Sequence, residues 1–195
     1  MDHRAHPLSA RAASRRRFLT TAATGAAALT TSLLVPNLAM TAKSMPATRS
    51  LAFRSLHTGE EVAATYLRDG IFQADALDRL NHVLRDWRSG EVWQMDRKLL
   101  DLLYALRRSM DSEQPFELIS AYRSPKTNAN LASNSNGVAK RSLHMRGMAV
   151  DVRLPERELK ALHQAALDLQ GGGVGLYTKS GFIHVDTGRV RRWGA

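Results

Sequence analysis

Three residues of the 195-residue chain have types and spacing that could do chemistry together: His144, Asp151 and His184. Two neutral imidazoles and one carboxylate form a ligand set common for catalytic zinc, leaving a net charge of about +1 and a fourth position open to water. Water in such a position ionises near neutral pH and becomes a nucleophile. Each residue also has a plainer reading. A lone histidine is commonly a surface or hydrogen-bonded residue, and Asp151 could pair with Arg153. Spacing alone leaves both readings open. His57, His82 and His163 read as a turn residue and two helix-surface residues.

The elements that must position the three residues are legible as patterns. Met148–Leu154 alternates, with Met148, Val150, Val152 and Leu154 on one face and Ala149, Asp151 and Arg153 on the other. A strand with its apolar face on the core turns Asp151 toward a cleft. Phe182–Asp186 follows the same logic: Ile183 and Val185 face the core, while His184 and Asp186 share the other side. His144 precedes Gly147, a residue that lets the chain turn sharply into the strand.

Around these, Ser50–His57 and Glu61–Arg68 read as a hairpin joined at Thr58-Gly59. Apolar residues at helical spacing predict helices over Asp75–Trp87 and Asp96–Ser109. Phe116–Ala121 reads as a buried strand, and the polar stretch Thr127–Lys140 as a long loop with room for a helical turn. A third helix is expected over Glu156–Leu169, opened by Pro155. The triple glycine at 171–173 leads into short strands at Val174–Tyr177 and Phe182–Asp186. Strands and helices do not alternate regularly. The expected class is therefore α+β, one compact domain with a small, mainly antiparallel sheet flanked by about three helices.

Composition bounds the function. With 44% hydrophobic and 24% charged residues the chain has globular balance, and zero cysteine excludes disulfides, thiolate zinc sites, a cysteine nucleophile and an acylated lipoprotein cysteine. The first 42 residues read as an export leader: five arginines before Phe18, then an uncharged run to Met40 diluted by threonines. Ser14-Arg15-Arg16-Arg17-Phe18-Leu19 resembles the twin-arginine signal, and its polar dilution speaks against a lasting membrane span. Of the formal +10, the leader holds +4, leaving 23 basic and 17 acidic groups after it. Basic residues are scattered and no nucleic-acid-binding motif is present, so no nucleic acid partner is expected. Residues 43–49 read as a linker and 50–195 as the catalytic domain.

The segment Ser142-Leu143-His144-Met145-Arg146-Gly147-Met148-Ala149-Val150-Asp151 resembles the SxHxxGxAxD signature of the zinc D-alanyl-D-alanine peptidase superfamily. Within it, the chain most resembles the MepK-like branch of periplasmic murein endopeptidases. Leu56–Glu60, Ala121-Tyr122-Arg123-Ser124, Gly172–Tyr177, Phe182–Gly188 and the closing Val190–Trp193 carry the resemblance over nearly all of residues 50–195. The resemblance implies a Hedgehog/D-Ala-D-Ala-peptidase-like fold and one zinc ion held by His144, Asp151 and His184. It further implies an enzyme that cuts peptidoglycan stem-peptide cross-links, including those between two diaminopimelate residues. With the leader, the expectation is a periplasmic monomer exported by the twin-arginine route. A D,D-carboxypeptidase trimming terminal D-alanine, or a non-catalytic zinc-stabilised wall-binding protein, are the alternatives.

Arg123 gains a role from the same resemblance: the arginine of the Tyr-Arg-Ser segment holds substrate or polarises the scissile carbonyl, to which a planar donor fork is suited. Ser142 and Asn128 are weaker supporting candidates. The general base departs from the family pattern. Related carboxypeptidases carry an acid or histidine two or three residues before the last zinc histidine, where this chain has Gly181 and Phe182. Asp186 is the nearest acid on that strand face; activating water and merely orienting His184 are equally weighted readings of it.

Overall fold

The computed structural model describes residues 45–194 except Asn136. The expected export leader lies outside the described residues. Among those described, the order is β1 (Arg49–Ser55), β2 (Glu61–Arg68), β3 (Ile71–Phe72), α1 (Ala74–Val83), α2 (Arg97–Ser109), β4 (Phe116–Ser120), α3 (Pro125–Ser133), a 3₁₀ turn (Leu143–Arg146), β5 (Ala149–Arg153), α4 (Leu159–Asp168), β6 (Gly173–Tyr177), β7 (Phe182–Asp186) and β8 (Arg191–Gly194).

The eight strands form one sheet in the order β3-β2-β1-β4-β5-β7-β6-β8. Pairing is antiparallel except for β1 with β4 and β6 with β8. The α+β class and the mainly antiparallel pairing are as expected, but the sheet is larger and the helices are four. Two short strands account for much of the size difference. β3 has two residues, and β8 carries two arginines and no apolar alternation, so neither has a pattern to be found by.

The fourth helix, α3, replaces the first part of the loop expected at Thr127–Lys140. Its polar, low-propensity sequence hid it, but its start is conventional. Ser124 accepts a hydrogen bond from the Thr127 amide at 3.2 Å and Pro125 occupies the first helical position, where its missing N–H costs nothing. α1 stops four residues earlier than its apolar spacing suggested, because Asp86 takes over the next turn. Its carboxylate accepts from the Arg88 amide and its carbonyl from the Gly90 amide. α4 begins at Leu159, and Pro155 lies before it in a turn closed by the Arg157 amide donating to the Leu154 carbonyl at 3.3 Å, where Glu156 has a φ of 63°.

One face of the sheet is covered by α1, α2 and α4. Leu99, Leu100, Leu103 and Leu106 of α2 are fully buried, packed with Phe53, Phe116, Val150, Val152 and Ile183 from the strands. Truncating one such leucine to alanine costs about 2–5 kcal/mol, a large part of a domain's stability. The core thereby holds β4, β5 and β7 rigidly at the sheet centre, with their opposite face left for polar groups. Among the described residues, no helix is long and apolar enough to cross a membrane.

Candidate metal centre

β5 and β7 pair so that Asp151 stands directly opposite His184, and β4 places Ser120 beside Asp151. With Val150, Val152, Ile183 and Val185 committed to the core, Asp151, His184 and Asp186 emerge on the other face, as their alternation predicts. His144 arrives from the 3₁₀ turn. Ser142 caps that turn by accepting from the His144 amide at 3.3 Å, and Gly147 ends it at a φ of 65°. A Cβ at position 147 would sit 2.6 Å from the Gln94 carbonyl oxygen, so glycine is required there for space as well as conformation. The Arg123 amide donates to the His144 carbonyl at 3.2 Å, tying the turn to the end of β4.

Three donor atoms converge. His184 Nδ1 lies 2.8 Å from Asp151 Oδ1 and 3.2 Å from His144 Nε2, and the remaining edge, His144 Nε2 to Asp151 Oδ1, is 3.4 Å. Tetrahedral zinc with bonds of about 2.0–2.1 Å keeps its ligands roughly 3.3 Å apart, so the triangle has the right size. The far ring nitrogens set the tautomers. His144 Nδ1 donates to the Ala121 carbonyl at 2.6 Å, leaving the Nε2 lone pair inward, and His184 Nε2 donates to Asp186 Oδ2 at 3.1 Å, leaving the Nδ1 lone pair inward. Two lone pairs and a carboxylate pointing at one another call for a cation, and the group could hold a metal ion.

Electrostatics agree with that geometry. Burial alone would raise the Asp151 pKa, but His144 and His184 outweigh it and hold the carboxyl well below its usual range. Burial pulls the His184 imidazole down; Asp151 and Asp186 on either side overcome this and leave it raised.

Asp186 is fully buried, and both of its oxygens are occupied. Oδ1 accepts from the amides of Gly173 (3.0 Å) and Gly188 (2.8 Å) and from Arg191 Nη1 (3.1 Å); Oδ2 accepts from Arg191 Nη2 (2.6 Å) and His184. Desolvation pushes its pKa up, yet these donors hold it far below the carboxylate norm.

Arg123 leaves β4 toward the same cleft, a cavity of about 470 Å³ that also touches His144, Asp151, Tyr177, His184 and Trp193. Its guanidinium lies 3.7 Å from Asp151 Oδ2 and donates at 3.4 Å to Ser120 Oγ and to Asn128 Oδ1, while Nε has no partner. Burial lowers its pKa and Asp151 opposes the shift. Asn128 in turn donates to the carbonyls of Ala139 and Lys140. Ser142 caps, Asn128 bridges, and two of the other described histidines have partners elsewhere: His57 stacks on Trp87, and His82 pairs with Glu60. Arg191 and Trp193 stand in the closing segment that carries the family resemblance, but the sequence assigned them no role, because β8 has no pattern that places them at the cleft.

The family model described as peptidoglycan L,D-endopeptidase MepK matches residues 43–193. This chain belongs to the MepK peptidase family. The MepK peptidoglycan L,D-endopeptidase of Escherichia coli K12 is 39% identical over 181 residues, covering 93% of this chain and 97% of that one. The probable MepK of Haemophilus influenzae is 37% identical over 161 residues, covering 82% and 87%. The family match therefore spans all of the strands that carry the candidate centre.

Proposed function

We propose that this chain is an exported zinc peptidase that hydrolyses peptide cross-links of peptidoglycan, as an L,D-endopeptidase. The observation that carries the reading is the convergence of His144 Nε2, Asp151 Oδ1 and His184 Nδ1 in one cleft, in a chain that matches the MepK family over residues 43–193. His144, Asp151 and His184 hold the zinc. Zinc in that position supplies Lewis acidity and a water acidified to a near-neutral pKa.

The rest of the site prepares for a peptide. Arg123 lines the cleft with its guanidinium held by two long hydrogen bonds, and offers its planar donor fork to a carbonyl oxygen on which charge develops. Asp186 acts as a positioning residue: with five donors on its two oxygens it orients His184 and has no lone pair to spare as a base. Arg141, exposed at the cleft rim, and Arg191 give the mouth a positive lining suited to stem-peptide carboxylates. Residues 1–42 act as a twin-arginine leader that delivers a monomer to the periplasm, with no membrane span kept after cleavage.

The test is a digest of purified sacculi by zinc-loaded protein lacking residues 1–42, with His184→Ala as control and the released muropeptides resolved. Loss of cross-linked dimers bearing L,D bonds is the expected result. Release of D-alanine alone would make the chain a D,D-carboxypeptidase, and binding with neither product would make it a wall-binding protein.

A further inference from the structure

Tyr177 lines the cleft yet has no part in the chemistry above. It closes β6, half-buried, with its ring stacked on Phe182 at 4.7 Å between centroids. Phe182 stands in one of the places where related carboxypeptidases carry an acid, so here that place contributes a ring wall and no carboxylate. The Tyr177 oxygen lies 3.0 Å from Trp193 Nε1. An indole N–H can only donate, so the phenol oxygen must accept, and its own proton is turned away from Trp193.

Trp193 is itself firmly held. Its ring packs at 5.1 Å from that of His184, and the Arg191 guanidinium, anchored on Asp186, sits 4.9 Å over its centre. Gly175 lies opposite it in the strand pairing, and a Cβ there would fall 2.5 Å from the indole. The missing side chain is what lets the indole lie across the sheet and reach Tyr177. A chain of contacts thus runs from Asp186 through Arg191 and Trp193 to a hydroxyl with one hydrogen-bond partner among the described residues.

We propose that Tyr177 is a catalytic residue whose hydroxyl donates a hydrogen bond to the scissile carbonyl oxygen as negative charge builds there, with Trp193 as its positioning residue. The inference rests on the endopeptidase reading. No proton is transferred; the donor acts beside Arg123 and is realised most strongly in the transition state.

The experiment is a double-mutant cycle of Tyr177→Phe and Trp193→Phe on zinc-loaded protein lacking residues 1–42, read as muropeptide release from sacculi. Zinc content is measured in parallel, with calorimetric binding of a phosphinate analogue of the cross-link. Loss of one such donor lowers kcat by about 10²–10³-fold, so Tyr177→Phe is expected in that range with little change in KM or bound zinc. Phosphinate binding weakens in the same variant, while binding of the uncleaved peptide does not. Trp193→Phe leaves a smaller aromatic ring and loses the donor, so its defect shrinks to within about twofold in the Tyr177→Phe background. Full activity and full phosphinate affinity in Tyr177→Phe would overturn the role of Tyr177. A Trp193→Phe defect that persists undiminished in that background would overturn the positioning role and assign Trp193 to packing on His184. Wild-type protein that leaves sacculi uncut would overturn the endopeptidase reading and this inference with it.

Discussion

His184 and Arg191 meet on one oxygen: Asp186 Oδ2 accepts from His184 Nε2 at 3.1 Å and from Arg191 Nη2 at 2.6 Å. The arginine keeps Asp186 ionised, and the ionised carboxylate keeps the His184 proton on Nε2, so Nδ1 faces Asp151. Replacing Asp186 with asparagine is therefore expected to weaken zinc binding by about 10–100-fold, the usual cost of losing such a partner. Competition against a chelating dye measures it. Unchanged zinc affinity with lost activity would return Asp186 to the role of base.

Metal should stabilise the fold as well as act in it, because two lone pairs and a carboxylate crowd together without it. Zinc at 100 times its Kd adds about 2.7 kcal/mol to the folded state, provided the unfolded chain does not bind it. Thermal melts with and without a chelator should separate accordingly. His144→Ala should melt at the same temperature under both conditions.

Gly147 combines a φ of 65° with a Cβ position blocked by the Gln94 carbonyl. Gly147→Ala is expected to cost about 2 kcal/mol or more in denaturant unfolding, since left-handed backbone and a backbone clash add together. Because the same turn carries His144, zinc affinity should fall too. A variant with wild-type affinity would show that the turn does not set the ligand.

Asp86 ties the start of α3 to the loop after α1 by accepting from the Ser124 amide at 2.9 Å. Burial would raise its pKa, but hydrogen bonds from Thr127, Ser124 and Arg88 lower it from 3.8 to about 2. A depressed carboxylate pKa stabilises the fold above its unfolded value, and that stability is lost as pH falls through the folded one. The expected contribution is about 2 kcal/mol at neutral pH, fading between roughly pH 4 and pH 2. Asp86→Asn should remove that part of the acid dependence in urea unfolding. An unaltered acid limb would assign the dependence to other carboxylates.

Arg123→Lys tests the planar fork. A point charge cannot reproduce it, so kcat should fall by about 10–100-fold with zinc content unchanged. Loss of zinc in this variant would mean that Arg123 supports Asp151 and not the substrate.

Much of the centre was legible along the chain because strand alternation is a local rule. Once Val150, Val152, Ile183 and Val185 are read as core, Asp151 and His184 have only one face left. The sequence by itself thus determined the three candidate residues, the face that Asp151 and His184 share, the glycine turn that delivers His144 and the absence of thiol chemistry. Only the tertiary structure decided what surrounds them. β8 lacks an apolar pattern and exists because β6 offers it an edge, yet it supplies Arg191 to Asp186 and Trp193 to Tyr177. Whether Asp186 is open to a substrate or saturated depends on donors from Gly173, Gly188 and Arg191, which meet only when β6, β7 and β8 pair. Periodicity reports which way a side chain leaves its own strand. The occupancy of its lone pairs is a property of neighbours brought together by folding.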